Sequence, residues 1–226
     1  MSTMAGEDMS LSIDYGAASW EDMDGVADVF LNSFSDSMVH VFGRVPDTSL
    51  IRQIFEVCLL SEPDSFLVAR EGNRVIGYIF APYELKRLWQ TATKRGFLWR
   101  WVKGWICGEL GFGWHPLKVI LLDKFYFLQS AFRDEIGTGA RILSVAVAEE
   151  TRGKGVGTRL VGQALERLER CGVDTVRLEV RPWNQAARRL YQGFGFKIVG
   201  TTADSQGEWQ VMVKPFPKLE NVNKDR

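Results

Sequence analysis

The sequence predicts a single α/β domain in which strands alternate with amphipathic helices, interrupted by one helical insertion. Three observations carry that prediction. Residues 140–148 (ARILSVAVA) form a near-continuous apolar run, the pattern of a strand buried on both faces. Between Gly155 and Cys171, residues Val156, Leu160, Val161, Ala164, Leu165 and Leu168 recur at helical spacing, and Gly172 closes the stretch. Residues 175–181 then alternate strictly, with Val176, Leu178 and Val180 on one face and Arg177, Glu179 and Arg181 on the other.

The remaining elements follow in order. Residues 11–15 make a short strand, and the stretch from Trp20 to about Asp36 carries Met23, Val26, Ala27, Phe30, Leu31 and Phe34 as a helical stripe. Pro46, Asp47 and Thr48 open a second helix that Pro63 stops. Residues 66–70 and 75–81 read as a hairpin turned by Glu71, Gly72 and Asn73, and Pro82 ends it. From about 84 to 138 the texture changes, for five of the eight tryptophans lie there. The spacing predicts two short helices broken at Gly96 and a third over 116–133. A linker would be polar and rich in Gly, Ser or Pro, so this is an insertion within the domain. The core is thus 11–83 with 139–215, completed by a short helix over 184–193, strands over 196–201 and 209–214, and a polar tail at 216–226.

Composition excludes several classes. With 226 residues, 46% hydrophobic and 25% charged, the chain is not collagen-like, mucin-like or disordered, and it can bury a core without disulfides. Lys+Arg and Asp+Glu both total 28, so no net charge draws the whole molecule to nucleic acid. The balance is uneven along the chain: eight acids precede the first base, Arg44, whereas residues 85–108 hold six bases and no acid. Cys58, Cys107 and Cys171 are too far apart for a CxxC pair, and Cys58 and Cys171 fall on helical apolar stripes as buried thiols. His40 and His115 stand alone, and no metal site is expected. The acidic, polar N-terminus is unlike a signal peptide and no apolar run reaches 18 residues, so a cytoplasmic location is expected.

Chemistry concentrates where the buried strand enters the next helix, in SVAVAEETRGKGVGTRL. Gly153, Gly155 and Gly157 flanked by Arg152 and Lys154 suit a phosphate, because glycine admits a ligand close to the backbone and a helix N-terminus offers unpaired N–H groups. The order fails both the Walker pattern, since Lys154 is followed by Gly155, and the Rossmann pattern. A solvated glycine-rich turn is the plainer alternative.

Arg152-x-x-Gly155-x-Gly157, after a strand ending Val145-Ala146-Val147, resembles the acyl-CoA signature of the GNAT N-acetyltransferase superfamily. LEVRPWNQAARRLYQGFGF resembles the second half of that family's core, especially its ribosomal-protein alanine N-acetyltransferase branch. The resemblance is clear from Ile142 to about Gly200. It implies a GNAT fold: a mixed, mostly antiparallel sheet flanked by helices, splayed between the strands at 140–148 and 175–181. It also implies acetyl-CoA as acyl donor, without metal. The pantetheine would bond to main chain around Val145, Ala146 and Val147. The pyrophosphate would rest on the amides of Arg152, Gly153, Lys154, Gly155, Val156, Gly157 and Thr158, with Asn184 and Ala187 near the pantetheine.

The implied reaction is direct attack of a primary amine on the thioester, with Tyr191 as general acid and Glu179 as candidate base. Each has a plainer alternative: Tyr191 as an aromatic staple, Glu179 as a carboxylate paired with Arg177 or Arg181. A non-catalytic acyl-CoA sensor or scaffold on the same fold is the other reading. The acceptor is a small-molecule or peptide amine. The insertion departs from the compact branch pattern and admits three roles: a cap or homodimer contact, a lid on the acceptor pocket, or a peripheral membrane-interaction surface in which Lys86, Arg87, Lys94, Arg95, Arg100 and Lys103 interleave with Trp and Phe.

Overall fold

A computed structural model of the chain describes residues 12–107 and 140–217. Four strands, β1 (Ile13–Ala17), β2 (Phe66–Glu71), β3 (Arg74–Phe80) and β4 (Ser144–Val147), pair in that order as an antiparallel sheet. Three more, β5 (Thr175–Val180), β6 (Lys197–Asp204) and β7 (Gly207–Pro215), form a second antiparallel sheet in the order β5-β7-β6. A parallel bridge between Arg141 and Arg177 joins the sheets. There the Ile142 N–H donates to the Arg177 carbonyl at 3.0 Å, and the Arg177 N–H donates to Ala140 at 3.1 Å. Past that point β4 and β5 exchange no backbone hydrogen bonds among the described residues. The strands diverge as a wedge, the splay that the resemblance implies.

The described α-helices are α1 (Met23–Phe42), α2 (Thr48–Ser61), α3 (Leu85–Lys94), α4 (Phe97–Ile106), α5 (Val156–Arg170) and α6 (Gln185–Gly193). The buried faces of α1, α2 and α5 meet the first sheet over one aromatic and aliphatic core. Phe55 of α2 is its hub, with ring centroids 5.4 Å from Phe30, 5.7 Å from Phe66 and 5.1 Å from Tyr78. Near the end of α2, buried Glu62 accepts the Ser65 hydroxyl and the N–H groups of Tyr83 and Glu84. The insertion is thereby tied to the core at its first residue.

Several expectations are corrected. The strand expected over 140–148 is regular only over β4, because residues 140–142 turn to bridge β5. The first strand lies two residues later than expected, in register with β2 (Ile13 opposite Glu71). α1 continues past Asp36 to Phe42 across a kink at Phe34, where φ is −129°. Cys58 is buried, and burial pushes its thiol up to about 12. Cys171 is exposed instead, for the apolar stripe of α5 ends at Leu168 and the helix at Arg170. The break at Gly96 (φ +74°) falls between α3 and α4 as expected. The expected helix over 116–133, His115 and most of the tail lie outside the described residues.

Two close contacts yield tests. A Cβ on Gly25 of α1 would stand 2.9 Å from the Cβ of Val75, an atom fixed to the backbone of β3. Gly25→Ala gains about 1 kcal/mol of helix propensity but overpacks at about 1–3 kcal/mol, so a net loss of about 1 kcal/mol is expected in urea unfolding. Asp22 accepts the Ser19 N–H at 2.6 Å and a forked contact from Arg70 at 2.6 and 2.7 Å. Burial alone would raise its carboxyl, but the Arg70 and Ser19 donors together outweigh burial and hold it below the usual carboxylate range. A folded pKa below the unfolded one adds stability above about pH 4 that is lost as the pH falls through the folded value. Asp22→Asn is therefore expected to lower the denaturation midpoint at neutral pH, with the gap to the parent closing in acid.

Candidate active site

The wedge between β4 and β5 opens into a cleft of about 760 Å³. Val145 and Arg152 line one wall, Glu179 of β5 and the following Arg181 the other, and Asn184, with Ala187 and Tyr191 of α6, closes one side. Residues 32–38 and Val41 of α1, with Gln206 and Trp209 of the β6–β7 hairpin, line the rest.

Strand geometry sorts the main-chain groups of β4. Ala146 pairs opposite Tyr78, and the Ala148 N–H donates to Ile76 at 2.8 Å, so the even positions turn their polar groups to β3. Val145 and Val147 consequently turn theirs to the free edge inside the wedge. Ala146 itself is buried in the core. Of the three expected residues, the two valines are the ones whose main chain faces the cleft.

Next comes the glycine turn. The Thr151 hydroxyl donates to the Ala148 carbonyl at 2.9 Å and anchors its start. Gly153 and Gly155 have φ of +78° and +81°, while an added Cβ would meet nothing within 4 Å. Glycine is needed at these two positions for backbone conformation rather than space. The amides of Arg152 and Lys154 are engaged within the turn, on Glu149 and Thr151. Those of Gly155, Val156, Gly157 and Thr158 have no backbone acceptor among the described residues, as the first turn of a helix requires. Val156 buries its side chain against Gly77, so only its amide is available. Gly157 sits against Val147: its Cβ would lie 3.5 Å from Val147 Cγ2. The unpaired amides thus begin beside the free edge of β4.

Arg152 does something the sequence did not suggest. Its Nε donates to the Val147 carbonyl at 3.1 Å and its Nη2 to Ser33 Oγ of α1 at 3.4 Å, so the side chain spans the cleft. Asn184 is the N-cap of α6, its Oδ1 accepting the Ala187 N–H at 3.0 Å.

Tyr191 is 5% exposed, and its ring packs edge-on against Phe196 at 5.7 Å while the residue lines the cleft. Tyr191 thus packs as an aromatic staple and also lines the cleft. Burial pushes its phenol up to about 12. Glu179 lines the same cleft, and its Oε1 accepts Arg177 Nε at 2.8 Å with Arg141 Nη1 at 3.6 Å. The polar face of β5 is not open surface: Arg177 is buried, and the partner alongside it is Arg141 rather than Arg181.

Sequence reasoning missed the far end of the cleft. Arg181 donates to Asp204 at 2.9 Å, Gln206 at 3.1 Å and the Gly207 carbonyl at 3.1 Å, and its guanidinium lies 3.7 Å from the Trp209 ring centroid. His40 Nε2 meets Ser205 Oγ at 3.0 Å, linking the end of α1 to the same hairpin. A run of small polar residues inside an otherwise apolar helix (NSFSDS, 32–37) was the available signal for α1. Among the described residues no cluster of His, Cys, Asp and Glu could hold a metal ion, and no helix is long and apolar enough to cross a membrane.

The sequence matches the Acetyltransferase (GNAT) family over residues 28–196, more than half of the chain. The chain belongs to that family. Two relatives share 29% identity with it. One is mycothiol acetyltransferase of Corynebacterium urealyticum, aligned over 63% of this chain and 44% of its own length. The other is [ribosomal protein bS18]-alanine N-acetyltransferase of Salmonella typhimurium, aligned over 52% of this chain and 78% of its own length. The chain therefore spans less than half of the mycothiol enzyme. Among solved structures, yncA of Salmonella typhimurium with its cofactor acetyl-CoA superposes with a TM-score of 0.57 at 16% identity, covering 94% of this chain and 98% of that one. The ribosomal-protein-S18-alanine N-acetyltransferase of Escherichia coli gives 0.52 at 14% identity, covering 94% and 100%. At these identities the structures show a shared GNAT fold.

The two kinds of glycine in the turn should separate in thermal unfolding. Gly157→Ala adds a Cβ at ordinary contact distance and is expected to leave the melting temperature unchanged or raised. Gly155→Ala forces an L residue to φ +81° and is expected to cost about 1 kcal/mol.

Proposed function

We propose that the protein is an N-acetyltransferase that moves the acetyl group of acetyl-CoA to a primary amine by direct attack in a ternary complex. One observation carries this reading. A cleft lined by the outward-facing edge of β4 and a buried tyrosine reaches Arg152, beside which the next helix begins with a run of unpaired N-terminal amides. That set matches acetyl-CoA part by part. The amides of Gly155 to Thr158 would hold the pyrophosphate, with the helix dipole favouring its charge. The Val145 and Val147 main chain would pair with the amide-bearing pantetheine arm, which requires Arg152 to release the Val147 carbonyl. When bound, acetyl-CoA supplies the activated thioester.

Tyr191 acts on the departing sulfur. With its pKa near 12, it stays protonated throughout the working range. A thiol holds its proton less tightly than this buried phenol, so full transfer from Tyr191 runs uphill. Its role is accordingly to donate a hydrogen bond to the developing thiolate, with the proton delivered from solvent or from the amine. Glu179 is the candidate acceptor for the amine proton, although its Oε1 is already engaged by Arg177. The need for a base depends on the acceptor: an α-amine of pKa about 8 is roughly one-tenth neutral at pH 7, whereas a lysine is neutral in fewer than about one molecule per thousand. The two relatives are named for different acceptors, so the proposal stays at the level of a primary amine.

The test is acetyl-CoA-dependent release of free thiol against peptides with free N-termini, lysine peptides, polyamines and amino sugars. Tyr191→Phe is expected to lower kcat by about a hundredfold or more while acetyl-CoA affinity in calorimetry stays within about threefold. Glu179→Gln should cost more with lysine acceptors than with α-amines. Full turnover in Tyr191→Phe would remove that residue from the mechanism. Acetyl-CoA binding with no turnover on any amine would favour a sensor, and absence of binding would overturn the assignment of the cleft.

A further inference from the structure

α4 carries apolar residues around most of its circumference, with Arg100 and Lys103 together on the rest, and part of the apolar surface is left uncovered. Gly104 is buried, and on the same side Trp101 donates its Nε1 to Gln53 of α2 at 3.3 Å. The opposite side carries Trp99, Val102 and Ile106, spaced three and four residues apart as one stripe. Trp99 is 77% exposed and Ile106 76% exposed. Trp89 on neighbouring α3 is 62% exposed, while Ala92 and Leu88 of that helix face the core. Large apolar side chains grouped on one exposed helix face mark an interaction surface, so this stripe calls for a covering partner.

Charge says which kind. Arg100 and Lys103 flank the stripe on α4, and Lys94 and Arg95 stand at the junction of the two helices. No acid among the described residues forms a salt bridge with any of these four, whereas Lys86 and Arg87 are held by Glu84. Lys94 and Arg95 also line a groove of about 500 Å³ between α3 and the end of α2. Large aromatics on a stripe edged by cations that no described acid neutralises, Arg100 stacking on Phe97 at 4.7 Å, are the chemistry of an interfacial helix on anionic lipid. The face is also separate from the catalytic machinery, because no residue of α3 or α4 lines the cleft. The rest of the insertion lies outside the described residues.

We propose that the outer face of α3 and α4 docks the protein on an anionic lipid bilayer. Trp89, Trp99 and Ile106 enter the headgroup boundary, and Lys94, Arg95, Arg100 and Lys103 contact lipid phosphates. The test is co-sedimentation of the full chain with vesicles of phosphatidylglycerol and phosphatidylcholine, and with vesicles of phosphatidylcholine alone. Binding is expected only to the anionic vesicles and should fall as salt rises. Lys94→Gln with Lys103→Gln should weaken it by roughly fivefold per charge, and Trp99→Ser with Ile106→Ser by about tenfold or more. Both double variants should bind acetyl-CoA as the parent does, which separates this proposal from the assignment of the cleft. No co-sedimentation at low salt would overturn it, as would vesicle binding that both variants retain. Self-association abolished by Trp99→Ser and Ile106→Ser would instead assign the face to a second copy. Tighter retention on single-stranded RNA than on anionic vesicles would assign it to nucleic acid.

Discussion

The parting of β4 from β5 is the constraint on which the rest depends. Two parallel strands joined at Arg141 and Arg177 and unpaired beyond would normally leave backbone donors and acceptors unsatisfied, at a cost comparable to lost hydrogen bonds. Here the unpaired edge faces a cleft open to water and ligand, so the missing partners can be solvent or the bound molecule. Everything placed at the cleft takes its position from that edge. The glycine turn continues directly from β4, α6 continues from β5, and Gly157 against Val147 sets the distance between helix N-terminus and strand.

The far end of the cleft is held by different forces. Arg181 fastens the β6–β7 hairpin through Asp204, Gln206 and a main-chain carbonyl, with Trp209 stacked on its guanidinium. His40 and Ser205 join that hairpin to α1, and Arg152 reaches Ser33 across the opening. The donor side is built from backbone geometry, and the opposite side from side-chain hydrogen bonds and aromatic contacts. This division explains why the glycine turn stands out in the sequence while the contacts of Ser33, His40 and Ser205 do not. Backbone geometry demands particular glycines at particular spacings, whereas a network of side chains can be assembled from many residue combinations.

The described part of the insertion, α3 and α4, belongs to neither side. α3 and α4 rest on α2, away from the cleft, and Glu62 ties their start to the core. A protein that needed these helices only to bury surface would not turn Trp99 and Ile106 outward. Their burden of exposed apolar area is the feature least explained by catalysis alone.

Much of this was legible in the sequence, and the reason is local. Periodicity placed the helices because 3.6-residue spacing is a property of the chain, and the hairpin and Gly96 break followed from turn chemistry. The turn at Gly153 to Gly157 and Tyr191 were found by motif, and each lies on or beside the cleft. Tertiary structure decided what depends on partners distant in sequence. It turned Val145 and Val147 inward and Ala146 away, because the register with β3 sets which main-chain groups are free. It enclosed the charged face of β5, swung Arg152 across to α1, and brought residues 32–41 and the β6–β7 hairpin to one opening. Those relations join residues up to 165 positions apart, as His40 and Ser205 are, and no local pattern encodes a contact over that separation.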